Sequence, residues 1–314
     1  MQLGLGTAAL GRPQYINLRQ ESKSDFDLET FKSNSFSVLN KAYQLGIRYF
    51  DTAPGYGIAE KIVSDWLKTI NDKTIKVATK WGYTYVANFD AKAKVHELKE
   101  HSLAKLNEQW EVSKGLSSYL QIYQIHSATL ETKVLENNSV LERLAFLKEE
   151  HKLQMGITTT GINQVEVIKR ALEVSINGAQ LFDAFQVTYN LLDQSIVSMA
   201  HELNKQGKKL IIKEALANGR IFRNDKFAHY SNLYHVLETM ALKHGVGVDA
   251  IALNYCGNTI PESIVLSGAS NPMHLEGNIK AKSFTLSEDE LRQLNAFGIS
   301  EALYWDERKL LAWN

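Results

Sequence analysis

The sequence predicts an α/β fold: a (β/α)₈ TIM barrel spanning residues 1–314 as one domain. Eight short β-branched or apolar runs recur along the chain, segments of helical periodicity separate them, and no linker or low-complexity stretch interrupts the series. Such alternation implies parallel strands with crossover helices, and eight repeats close more naturally into a barrel than into an open sheet. At 314 residues the chain exceeds the usual size of one hydrophobic core. Length alone leaves two ordinary domains or one large barrel, and the unbroken alternation selects the barrel.

The predicted strands are 3–9, 47–53, 75–81, 120–127, 152–159, 184–190, 208–216 and 263–270, and the helical stretches 35–44, 60–68, 92–106, 139–150, 164–174, 194–205 and 233–244. The first strand runs into GLGTAA, which fits G-x-G-x-x-A as a string. Only three residues precede Gly4 and GRP follows, so the strand and helix of a dinucleotide-binding turn are missing. Residues 11–34 form a long first loop on the catalytic face, carrying Tyr15 and Asn17, and read as a candidate substrate lid. Residues 107–118 precede a strand and are expected on the opposite face as a structural insertion.

Lys plus Arg and Asp plus Glu number 35 each, so no basic face invites nucleic acid. Cys256 is the only cysteine, which excludes an intramolecular disulfide and a cysteine zinc cluster and suits a reducing compartment. The nine histidines show no HExxH spacing, and no metal site is expected. No apolar run is long enough to span a membrane and the N-terminus lacks a basic stretch, so a cytoplasmic protein is expected.

Chemistry concentrates at the ends of strands two, three and four: Asp51 and Tyr56 in YFDTAPGYG, Lys80 in VATKWGY, and His126 in IYQIHSAT. Each alone has an ordinary reading as turn former, packed aromatic, solvated strand end or core histidine. Together they surround one mouth, because neighbouring barrel strands end side by side. An ammonium at Lys80 is expected to favour the Tyr56 phenolate, Asp51 to hold Lys80 charged and oriented, and His126 to hydrogen-bond a substrate oxygen or share the proton with Tyr56. A tuned phenol suits carbonyl reduction, in which oxygen gains charge and needs a proton. No side chain donates hydride, so a nicotinamide cofactor is implied. Trp81, after Lys80, is either a barrel-packing residue or an aromatic substrate wall; Tyr83 and Tyr85 are read as packing.

These residues resemble the aldo-keto reductase superfamily in order, spacing and flanking sequence, and the likeness extends from LGLGTAALG through FQVTYNLLD to SGASNPMHLEGNIKA. The resemblance implies an NAD(P)(H)-dependent oxidoreductase with Tyr56 as general acid in reduction and base in oxidation. It further implies that Lys80 lowers the tyrosine pKa, Asp51 supports Lys80, and His126 orients a carbonyl of an aldehyde, ketone or sugar. Carried over residue by residue, the cofactor contacts are Asp51, Thr158, Thr159, Gln186, Lys213, Gly268, Ser270, Asn271, His274 and Asn278, with Glu276 a further adenine contact. Thr158 and Thr159 stand where the family has serine and asparagine, and Lys213 lies near where it commonly has an aromatic residue. Family members that hold the 2′-phosphate of NADP place basic residues around 268–274, where this chain has no lysine or arginine. A weakened NADP preference is therefore expected, with NAD as the alternative.

Two other functions fit the sequence. One is an isomerase or lyase using Lys80 as a Schiff-base nucleophile, which the nearby Asp51 disfavours by keeping the amine protonated. The other is a nucleotide-sensing regulatory barrel with little turnover. The tail, 301–314, brings Tyr304, Trp305 and Trp313 either over the pocket or against the barrel wall.

Overall fold

Eight parallel strands close the barrel in sequential order: β1 (Gln2–Gly6), β2 (Tyr49–Asp51), β3 (Lys76–Trp81), β4 (Leu120–Ala128), β5 (Gln154–Thr159), β6 (Phe182–Thr188), β7 (Lys209–Lys213) and β8 (Ile264–Ser267). This is the fold the alternation predicts. The structure is a computed structural model that describes residues 1–14, 17–18, 26–90 and 92–313. Tyr15, named above on the first loop, lies outside the described residues.

Strand periodicity sorts the side chains into two cores. Tyr49, Ala78, Ile122, Ala184, Ile211, Ile264 and Leu266 pack inside the barrel. Phe50, Val77, Ile125, Phe185 and Val265 face outward into the shell beneath the helices. Gly4 is small for a packing reason: a Cβ there would stand 2.8 Å from the Tyr49 ring, which fills the barrel centre.

The surrounding helices are α1 (Leu28–Gln44), α2 (Ala59–Leu67), α3 (Leu103–Ser113), α4 (Asn138–His151), α5 (Gln164–Glu173), α6 (Val197–Lys205), α7 (Ser231–His244), α8 (Val248–Thr259), α9 (Pro272–Ile279), α10 (Glu288–Asn295) and α11 (Glu301–Lys309). Three expectations need correction. The first loop is shorter than 11–34, because Asp27 caps α1 by accepting from the Thr30 amide at 2.8 Å, so the helix starts at Leu28, seven residues ahead of the predicted start at 35.

The stretch 92–106 is not a helix. Tyr83–Tyr85 pairs antiparallel with Glu97–Lys99, so a hairpin follows β3, and Val95 and Leu98 are exposed rather than forming a buried helical face. The helix begins only at Leu103, where Ser102 caps it. Residues 107–118 are accordingly no insertion; they complete the crossover helix and a 3₁₀ turn, and bury Trp110 and Leu116. Among the described residues no helix is long and apolar enough to cross a membrane.

Candidate active site

Strand register brings Asp51 and Lys80 to the C-terminal mouth. Asp51 pairs with Gly6 on one side and Ala78 on the other, and Lys80 pairs with Gln124. Asp51, Lys80, Gln124, Thr158 and Gln186 therefore share the inward parity and form a polar layer above the apolar barrel core. Lys80 is fully buried and ion-paired with Asp51, and its ammonium also donates to the Thr52 carbonyl at 3.1 Å. The second Asp51 oxygen accepts from Gln186 Nε2 at 2.8 Å and Gln124 Nε2 at 3.4 Å. A buried pair of this kind persists only because its remaining lone pairs are satisfied.

Tyr56 arrives on the 3₁₀ turn Pro54–Tyr56 rather than on a strand. Gly57 leaves this turn at φ 66°, a left-handed conformation that costs glycine little, and the Ile58 amide donates to the Gly11 carbonyl at 2.9 Å. Gly11 must be small, since a Cβ there would overlap the Tyr56 carbonyl and Ala59. We expect Gly11→Ala to push this turn outward, lowering turnover about 10- to 100-fold and stability by about 1–3 kcal/mol. Steady-state kinetics and a denaturation curve check this; wild-type turnover would remove Gly11 from the positioning of Tyr56.

The Tyr56 ring meets His126 edge-on at 5.3 Å, and Lys80 Nζ stands 4.7 Å from the Tyr56 ring centroid. Burial, reinforced by the Asp51 carboxylate, raises the phenol well above its ordinary value, while Arg12 opposes them. The expectation that Lys80 brings the phenol down is thus not met: Asp51 neutralises that ammonium, and desolvation dominates. His126 is shifted down, chiefly by burial and then by Lys80, Arg12, His101 and Lys213, so its imidazole is neutral. A neutral imidazole can offer a hydrogen bond but no charge.

Its backbone is fixed from two sides. His101 Nε2 bonds the His126 carbonyl at 2.9 Å, and Thr158 Oγ1 accepts from the amide of Ser127, which sits at φ 53°. Sequence reasoning missed His101, which carries no motif, and Arg12, which follows β1 in GRP. Arg12 Nη1 donates to the Gly55 carbonyl at 3.0 Å and to Glu97 of the hairpin at 2.7 Å. Gln124 was legible in principle, lying two residues before His126 on the same strand face. Tyr83, read as packing, meets His126 at 4.7 Å and belongs to the mouth.

Two predicted site residues point elsewhere. Trp81 has the outward parity, is fully buried in the shell core and meets the His101 ring edge-on at 5.5 Å. This is the packing alternative, with no surface left for a substrate. Thr159 likewise turns outward and directs its hydroxyl to Gln164 on α5 at 3.4 Å.

A groove of about 690 Å³ is lined by Leu266 and Glu214 and also by Gly268, Ser270, His274 and Asn278, all expected cofactor contacts, whereas Asp51, Thr158, Gln186 and Lys213 do not line it. Asn17 and Leu18 of the first loop also line it, as a lid would, and the Leu18 amide donates to the Asn218 carbonyl at 3.0 Å. Gly268 has open space where a Cβ would stand, so its backbone can be approached closely. Asn271 is committed to capping α9, accepting from the His274 amide at 2.8 Å. Lys213 donates to the Thr188 hydroxyl at 2.7 Å, and Glu276 pairs with Lys41.

In the tail, Tyr304 is buried, accepts from Asn190 and donates to Glu214, while Trp313 stacks on His96 at 4.5 Å and the Arg12 guanidinium stands 4.8 Å from the Trp313 ring centroid. Burial would raise the Glu214 carboxyl, yet Arg308, then Lys213, carry it down to about 2. A depressed acid stabilises the fold above its unfolded value and loses that contribution as pH falls through the folded one. Between about pH 4.5 and 2, up to about 3 kcal/mol is expected to disappear, and Glu214→Gln should flatten that segment of the stability curve. Urea denaturation at stepped pH reads this; parallel curves for both proteins would contradict it.

The pattern of the aldo/keto reductase family matches residues 2–299. Norsolorinic acid reductase B of Dothistroma septosporum is 24% identical over 293 residues, covering 85% of this chain and 73% of that protein. An uncharacterised oxidoreductase of Bacillus subtilis, YqkF, is 27% identical over 288 residues, covering 86% and 89%. Among solved structures, a glycerol dehydrogenase from Gluconobacter oxydans superposes with a TM-score of 0.70 at 21% identity, over 94% of this chain and 90% of that one. The holo form of an aldo-keto reductase from Bacillus halodurans gives 0.67 at 19% identity, over 95% and 92%.

Proposed function

The chain belongs to the aldo/keto reductase family of oxidoreductases acting on carbonyls, and from that premise we propose that it reduces an aldehyde, ketone or sugar carbonyl to an alcohol with NADH or NADPH, using Tyr56 as the acid. The observation that carries this reading is the convergence of a half-buried phenol, a neutral imidazole and a buried Lys80–Asp51 pair at one barrel mouth, with a groove lined by Leu266 and Glu214 at strand ends of the same barrel.

The groove fits a dinucleotide on its own chemistry. Its volume lies within the ~300–1,000 Å³ range of small-molecule sites, and it offers an accessible glycine backbone, the Ser270 hydroxyl and the start of α9. Gly268, Ser270, His274 and Asn278 would hold the cofactor along it, and Gln186, Thr158 and Lys213 would stand nearest the nicotinamide. The bound cofactor would supply the hydride. His126 would orient the carbonyl oxygen through an imidazole N–H toward the Tyr56 hydroxyl, which would give its proton to that oxygen. Asp51 and Lys80 would keep the mouth's charge fixed, and Trp313, His96 and Arg12 would limit water entry. Lys80 is poorly placed as a Schiff-base nucleophile, because its nitrogen is buried and engaged by Asp51 and the Thr52 carbonyl.

A phenol raised in pKa holds its proton at neutral pH, which favours reduction. The reduction rate should stay level through about pH 9, below the ordinary tyrosine value near 10. A kcat profile falling with a midpoint near pH 7 would contradict this role. The function itself is tested by a cofactor-absorbance screen of sugars, aryl aldehydes and dicarbonyls with both nucleotides. Consumption with at least one carbonyl is expected; nucleotide binding without turnover on any would point to a regulatory barrel.

A further inference from the structure

At the end of the groove remote from the barrel mouth stands a carboxylate that the sequence reading did not single out. Asp249 lies in the first turn of α8, outside the barrel, and lines the groove together with Gly268, Ser270, His274 and Asn278. Its position is built rather than incidental. Gly277 on α9 leaves the room it needs, since a Cβ at 277 would stand 2.8 Å from Asp249 Oδ2. Asn278 is buried and aims its amide at the same atom: with its oxygen accepting from Ser267 Oγ at 2.7 Å, its nitrogen donates to Asp249 Oδ2 at 2.6 Å. Two helices and the end of β8 thus cooperate to hold one carboxylate at the groove wall.

Two lysines around it already have partners. Lys41, on α1 near α9, is ion-paired with Glu276. Lys226 lines the groove, but its ammonium donates to the Leu310 carbonyl at 2.9 Å. Burial raises the Asp249 carboxyl above its ordinary value, against the opposing backbone amides of 250 and 249 and the fields of His274 and Lys280. From 268 to 274 the chain has no lysine or arginine.

We propose that Asp249 selects the adenosine end of the cofactor by accepting hydrogen bonds from the unmodified ribose hydroxyls, making the groove one for NAD(H) and disfavouring NADP(H). This rests on the reading of the groove as the cofactor site: nicotinamide must lie by Tyr56, so the other end of the dinucleotide points toward α8 and α9. A carboxylate has about four acceptor positions, so with the Asn278 amide and the backbone amides of 249 and 250 on Asp249 a lone pair is left to accept from a ribose hydroxyl. A 2′-phosphate replaces that donor with nearly two negative charges and only acceptor oxygens, and meets repulsion in place of a hydrogen bond.

The test is direct binding of NADH and NADPH to the full-length protein, read by nicotinamide fluorescence and by calorimetry without substrate, for wild type, Asp249→Asn and Asp249→Ser. Melting curves for all three check folding. Wild type is expected to bind NADH at least about tenfold more tightly than NADPH, and both variants to narrow that ratio by about tenfold, chiefly through tighter NADPH binding. Wild-type preference for NADPH, or a ratio unchanged in both folded variants, overturns the role of Asp249 while leaving the cofactor site standing. Binding of neither nucleotide to wild type overturns both.

Discussion

Replacing Tyr56 with phenylalanine is expected to lower carbonyl turnover by about 10²- to 10⁴-fold, the range a positioned general acid supplies, while nucleotide binding stays near its wild-type strength. The ring is held by geometry that phenylalanine preserves: the 3₁₀ turn over Gly11, the edge contact with His126 and the Arg12 guanidinium 5.6 Å from the ring centroid. Only the hydroxyl is removed. Single-turnover rates and nucleotide titration on the same preparation separate chemistry from binding. Unchanged turnover would move the acid to another group.

Lys80→Met should produce the largest stability loss of any single substitution considered. It leaves Asp51, 2% exposed, as a buried carboxylate held by the amides of Gln186 and Gln124 alone. Breaking a buried pair by removing one partner costs about 3–5 kcal/mol, because the other charge remains without its counterion. Turnover should fall as well, since Asp51 and Tyr56 would then share a mouth with an uncompensated negative charge and the phenol would rise further. The double variant Asp51→Asn/Lys80→Met should recover much of the stability and none of the turnover. Urea denaturation of the single and double variants reads the difference. A Lys80→Met protein that unfolds at the wild-type midpoint would show that the pair does not hold the mouth together.

The barrel was legible because strand and helix periodicities alternate without interruption, and the tetrad because strand ends converge in this fold. What sequence could not show is instructive about its physics. Helix α8 escaped detection since nearly every residue from Ala250 to Gly257 is buried, so it lacks the polar face that marks an amphipathic helix. The hairpin after β3 escaped because Val95 and Leu98 imitate a helical spacing while lying exposed on the rim. Trp81 was ambiguous until strand parity, fixed by the inward Lys80, turned it outward. Thr159 shares that parity, so a motif position that suggested a cofactor contact is occupied in holding α5.

The tyrosine pKa was misjudged for a different reason. A neighbouring ammonium lowers a phenol in solution, but here Asp51 claims the ammonium and burial outweighs the remainder. Arg12, His101 and Asp249 belong to loops and helix termini whose proximity to the site exists only in three dimensions.

On the proposed function, bound reduced nicotinamide would give hydride to a carbonyl carbon at this mouth while Tyr56 would protonate the oxygen. Reduced nicotinamide deuterated on each face of C4 in turn, incubated with carbonyl substrates that pass the absorbance screen, tests it directly by mass spectrometry of the alcohol. Deuterium from one face alone, fixed on the carbinol carbon and formed at a rate that collapses in Tyr56→Phe, is the predicted result. An alcohol without deuterium from either face, or one formed at equal rate by Tyr56→Phe, would contradict the assignment.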